Sequence, residues 1–111
     1  MKNSDIYISH ILDSIARIKL YIANKSFKDF SNDTELHDAV VRNLEIIGEA
    51  SRRLPDKFKL AVNLPWDDIS AMRNKIAHDY FELNLAIIWK TATIDILEVE
   101  KELSPYNPEK K

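Results

Sequence analysis

In the stretch Ser70 to Phe81, SAMRNKIAHDYF, an arginine, an asparagine, a histidine and a tyrosine occupy positions 73, 74, 78 and 80. Arginine brings a permanent charge and a planar fork that grips phosphate oxygens in pairs; an asparagine beside it can donate to a further oxygen or orient a neighbour. Histidine, with an ordinary pKa of about 6.5, exchanges protons near neutral pH. The tyrosine hydroxyl can serve as donor, acceptor or nucleophile. Together these groups suit phosphodiester chemistry without a metal, in which His78 activates a ribose 2′-hydroxyl or protonates the leaving oxygen and Arg73 holds the developing phosphate charge. One histidine does not easily act as acid and base in a single step, so a second copy of the motif across a two-fold axis would supply the missing group. The competing reading is a polar helix face that is merely solvated.

The helical wheel bears on that choice. At about 100° per residue, with Arg73 at zero, Met72, Ile76, Ile69 and Tyr80 fall between about 260° and 340° and form the core stripe. Asn74 falls near 100° and His78 near 140°, one turn apart and pointing away from that stripe. Arg73 lies on the flank between. His78 therefore meets either solvent or a second surface.

The elements that must position these residues are helices. One glycine and four prolines in 111 residues leave few turn signals, and apolar residues recur at three and four positions instead of alternating. A first helix is expected from about Ser4 to Asn24, on Ile8, Ile11, Leu12, Ile15, Ile18 and Ile22, before KSFKDFSND breaks the pattern. A second is expected from about Thr34 to Leu54, with Leu36, Val40, Leu44, Ile47 and Leu54 on one stripe and Asp38, Glu45, Glu49 and Arg52 on the other side. PDKFKLAVNLPW allows a short helix between two prolines, and Asp67 is a suitable N-cap for the helix carrying the polar quartet. A last helix from about Asn84 to Leu103 is apolar nearly all round, which suits a central element or one shared with a partner. The expected fold is all-α: an antiparallel four-helix bundle with an additional short helix, in one domain spanning 1–111 with 104–111 a polar tail. Gly48, the lone glycine, lies inside the second helix and suits a close helix crossing that no side chain would permit.

Composition narrows the function classes. Hydrophobic residues make up 45% and charged residues 31%, which suits a globular chain. Without cysteine there is no disulfide framework and no thiolate chemistry. No long apolar run suggests a membrane span or an export signal, so a cytoplasmic protein is expected. The net charge of −2 argues against a broad basic nucleic-acid surface, so any RNA contact must be focused in a narrow cleft.

Other candidate groups are weaker. His10, His37 and His78 fall on three separate helices without ligand spacing, so no metal site or other cofactor is expected. Arg42, Arg52, Arg53, Lys57 and Lys59 gather around the end of the second helix, where cations complement the helix dipole or could guide RNA. Glu45 and Glu49 are one turn apart, either a solvated face or an acid pair.

The arginine, four residues, histidine, one residue, tyrosine pattern at Arg73, His78 and Tyr80 resembles the motif of the HepT toxins of the HEPN superfamily. RNLEIIGEASRRLP and LPWDDISAMRNKIAHDYF are similar to that family in order and spacing, so the resemblance covers most of the chain. It implies a helical bundle forming a homodimer, with two motifs facing a shared cleft. It further implies a metal-independent ribonuclease acting on RNA, the toxin of a type VII-like pair, with Arg73 and His78 as its catalytic residues and Asn74 supporting them. Its partner would be a minimal nucleotidyltransferase antitoxin, MntA, that attaches AMP to Tyr80 and silences the site. The alternative is a non-catalytic nucleotide-binding or docking module for such a nucleotidyltransferase.

Overall fold

A computed structural model of the chain describes residues 3–110; residues 1, 2 and 111, the ends of the expected domain and tail, lie outside them. The described residues are organised as helices: α1 (Asn3–Ile22), α2 (Phe27–Ser31), α3 (Thr34–Arg53), α4 (Asp56–Ala61), α5 (Trp66–Phe81), α6 (Leu85–Lys90) and α7 (Ile96–Leu103). A π-helical turn, Thr91–Asp95, joins α6 to α7, so the last helix is continuous but widened in its middle. The fold is all-α, with two short helices beside the long ones instead of one.

The additional short helix is α2, in the stretch expected only to break the chain. Ser26 Oγ accepts from Asp29 N and the Asp29 carboxylate accepts from Ser26 N, a reciprocal pair that satisfies two backbone donors at the helix start. Burial of Phe30 then holds the single turn in place. Helix α1 stops at Ile22, two residues before the expected Asn24, which sits outside it with φ 61°. Asparagine tolerates that left-handed backbone better than most residues.

Helix α3 begins after Asp33, whose carboxylate accepts from Leu36 N at 3.1 Å. It ends before Pro55, because a proline disfavours helical backbone in the residue ahead of it. Helix α5 begins at Trp66, one residue before the expected N-cap Asp67. The reason is the Trp66 indole, which donates to the carbonyls of Lys59 and Val62 and ties the helix start to α4. Asp67 and Asp68 instead occupy the first turn, where carboxylates favour the helix dipole.

The core is aliphatic, with Ile8, Ile11, Ile15 and Ile18 of α1, Val40, Leu44 and Ile47 of α3, Ile69 and Ile76 of α5, and Ile88, Ile96 and Leu103 of the last helix. That helix buries one stripe only. Ile87, Ile94 and Leu97 remain exposed, so the expectation of an element enclosed on all sides is not met within this chain. Residues 104–106 and 108–110 form two 3₁₀ turns, and Tyr106 packs edge-on against Phe58 with ring centroids 5.1 Å apart.

Candidate functional site

Helix α3 lies between α1 and α5 and packs extensively on both. Its contacts with α5 run antiparallel, Gly48 and Glu49 meeting Arg73 at one end and Asp38 meeting Tyr80 at the other. The first of these meetings is close. A Cβ on Gly48 would stand 2.6 Å from the Arg73 backbone nitrogen and 3.3 Å from its Cα and Cβ. Real Cβ contacts are not that short, so hydrogen at position 48 is what lets the two helices approach, as expected for the lone glycine. The backbone of Arg73 is thereby set against α3 while its guanidinium stays exposed.

Glu49, the next residue of α3, gathers three guanidinium groups. It accepts from Arg52 Nη2 and Arg53 Nε at 2.7 Å each, and Arg73 Nη1 lies 3.6 Å from its other oxygen. The hydrogen bonds from Arg52 and Arg53 hold the Glu49 carboxyl at about 2, well below the ordinary carboxylate range. Three cations around one anion leave a surplus of positive charge on an otherwise mildly acidic chain. Glu49 is thus neither a solvated acid nor half of an acid pair with Glu45. The expected basic group at the end of α3 also divides: Arg52 and Arg53 face Glu49, whereas Arg42 lines a groove at the other end of the α3–α5 contact.

Asn74 and His78 are both exposed, on the outward face that the wheel assigns them. His10 is exposed on α1, and His37 is buried on α3, its ring 4.9 Å from that of Phe30. Among the described residues no three His, Asp or Glu side chains are placed to hold a metal ion. None of the described helices is long and apolar enough to cross a membrane.

Tyr80 lies on the α3-facing flank of α5, half-buried, with its ring edge-on to His37 at 5.9 Å. Its hydroxyl donates to Asp38 Oδ1 at 2.5 Å. That hydrogen bond, reinforced by burial and by the carboxylate charge, pushes the phenol up to about 12. The pair stands in an open groove of about 630 Å³ whose other walls include Val41, Arg42, Glu45 and Phe81. The structure therefore brings Tyr80 together with Asp38, and Arg73 with Glu49, at two ends of one helix contact.

Two residues of this region, Asp38 and Asp79, take roles that the sequence reading does not assign them. Asp38 reads as one more acid on a polar stripe, and its partner is 42 positions away. Asp79 is buried although flanked by the motif, its carboxylate neutralised by Lys75 Nζ at 2.7 Å. For Asp79 a hint exists, since it falls near 240° on the same wheel, at the border of the core stripe, with a lysine one turn before it.

A family described as ribonuclease HepT-like matches residues 11–105. A protein of Caldanaerobacter subterraneus subsp. tengcongensis, named "Putative RNase TTE0752", is 41% identical over 93% of this chain and 93% of its own length. The "Probable ribonuclease HepT" of Thermococcus cleftensis is 40% identical over 81% of this chain and 83% of its own. No solved structure matches.

Proposed function

The chain belongs to the ribonuclease HepT-like family, and on that premise we propose that it is a toxin that cleaves RNA through Arg73 and His78, supported by Asn74. The observation that carries this reading is the exposed face of α5. A permanent cation, an amide and an imidazole are all exposed within two turns of the helix, and the backbone beneath Arg73 is fixed against α3 at Gly48. In the proposed step a ribose 2′-oxygen attacks the adjacent phosphorus and loses its proton to His78 while the bond to the 5′-oxygen breaks. His78 of a second copy, facing the same cleft in a homodimer, returns a proton to that leaving oxygen. Arg73 bears the charge that builds on the phosphate, and Arg52 and Arg53, spread around Glu49 beside it, extend the cationic track for the RNA backbone. No step uses a metal.

Regulation in this reading falls on Tyr80. A nucleotidyltransferase antitoxin transfers AMP to its hydroxyl, and the added phosphate, an anion on the arginine-bearing flank of α5, competes with RNA.

The test uses wild-type protein and His78→Ala, each in excess chelator with total cellular RNA. Wild type is expected to cut and the variant to lose cleavage by 10²-fold or more, the scale of a proton-transfer group. The exposed position predicts that folding stability stays within about 0.5 kcal/mol of wild type. Equal cleavage by the two proteins refutes the assignment of His78. No cleavage by wild type, shown by intact mass to carry no AMP, favours the docking module instead.

A further inference from the structure

We propose that Asp38 is the acceptor that prepares Tyr80 for nucleotidyl transfer, accepting from the hydroxyl with Oη 2.5 Å from Oδ1 and taking the proton as the phenolic oxygen attacks. The inference rests on the reading of Tyr80 as the modified position. In the step, Tyr80 Oη bonds to the α-phosphorus of a nucleoside triphosphate and the bond from that phosphorus to the β-phosphate oxygen breaks. Pyrophosphate leaves with the electron pair, and the phenolic proton passes to the Asp38 carboxylate.

Three observations carry the proposal. The hydrogen bond is short and links a phenol to a carboxylate, so the proton already has its destination. The ring is seated edge-on to His37 and half-buried, which fixes the direction of its oxygen. The pair opens into the groove between α3 and α5, so a triphosphate presented by another protein can reach the oxygen from the open side. Arg42, one turn beyond Asp38 in the same groove, is the cation available to the α-phosphate.

The chemistry needs such an acceptor. A phenol pushed up to about 12 supplies only about one phenolate in 10⁵ at pH 7. Attack by a pre-formed phenolate is therefore a poor route, and transfer coupled to proton movement onto Asp38 avoids it. The other titratable or charged groups that line the groove around the pair are His37, Arg42 and Glu45, all from α3. The alternative role for the bond is a staple that fastens the end of α5 to α3. A staple alters stability but leaves the pH dependence of modification unchanged.

The experiment incubates the full chain with a purified minimal nucleotidyltransferase and magnesium ATP, reading AMP incorporation by intact mass from pH 6 to pH 9. Wild type is expected to be modified and Tyr80→Phe not. Asp38→Asn is expected to slow incorporation by about 10²-fold at pH 7, with a rate that climbs about tenfold per pH unit as free phenolate becomes the nucleophile. Asp38→Glu, which keeps the carboxylate, should restore the wild-type pH profile and guards against a folding defect in the amide variant. Arg42→Ala should slow the reaction without changing that profile. Wild-type rate and profile in Asp38→Asn overturn the proposal and leave modification of Tyr80 standing. Absence of incorporation into wild type, or undiminished incorporation into Tyr80→Phe, removes the reading of Tyr80 and the proposal with it.

Discussion

Replacing Gly48 by alanine tests the helix crossing that sets Arg73. The new methyl would lie 2.6 Å from the Arg73 nitrogen, and ordinary contact begins near 3.4 Å, so α3 and α5 must part by about 0.8 Å at this point. The obstruction is backbone, which cannot rotate aside as a side chain could. Overpacking of this kind costs about 1–3 kcal/mol, and contact with main chain puts it toward the upper end. Alanine returns about 1 kcal/mol of helix propensity over glycine. The net expectation is a loss of about 2 kcal/mol, which for a domain of this length lowers Tm by roughly 8 °C. Gly48→Ser should cost more, having the same Cβ and an added hydroxyl in a tight space. Because a displacement near 1 Å of a positioned group can cost about 10²-fold in rate, RNA cleavage should fall further than the unfolded fraction explains. The assay is urea unfolding followed by circular dichroism, with cleavage measured at a temperature where both proteins are folded. A Gly48→Ala protein as stable as wild type or more so would refute the reasoning, since the steric cost would then be no larger than the propensity gain of about 1 kcal/mol.

Two further expectations concern stability. Leu83, just past the end of α5, holds φ 58° while its side chain is 70% exposed; glycine there removes a left-handed penalty of about 1–2 kcal/mol against a roughly 0.4–1 kcal/mol gain in unfolded-chain freedom. Leu83→Gly should raise Tm by a few degrees in a thermal melt, and an unchanged or lower Tm would count against it. Glu49 sits at about 2 in the folded chain against an ordinary 4.5, so on acidification the unfolded chain takes up the proton first. Its stabilising contribution is complete above about pH 4.5 and is lost as pH falls toward 2. The urea midpoint of wild type should drop more steeply across that window than that of Glu49→Gln, and parallel curves would show that the arginine contacts do not shift this carboxyl.

The long helices and their buried faces are legible because a 3.6-residue period survives in α1, α3 and α5, where Ile8, Ile11, Ile15 and Ile18, or Val40, Leu44 and Ile47, recur at three and four positions. The same period places His78 and Asn74 outward, and the one glycine marks the crossing. What the period does not encode is pairing across helices. Nothing local to Asp38 or Tyr80 signals that they share a hydrogen bond, and although Arg52 and Arg53 stand one turn from Glu49 in the sequence, nothing there signals that Arg73 of α5 joins them. The missed helix α2 had a readable sign, Ser26 followed three residues later by Asp29, which an apolar count overlooks because the element buries a single phenylalanine.

The wide turn at Thr91–Asp95 has a consequence for how the last helix tolerates changes in length. One residue added to or removed from an α-helix swings everything beyond it by about 100°. Here the π turn confines such an offset to five residues, so Ile88 before it, Ala92 within it and Ile96, Val99 and Leu103 after it all reach the core. The two halves are geared to different neighbours. Trp89 on the first half stacks near Phe30 of α2, and Glu100 on the second pairs with Lys19 of α1. Deleting one residue within 91–95 would straighten the helix and force these two registrations to compete, whereas the same deletion within the exposed 3₁₀ turn around Pro105 would leave both in phase.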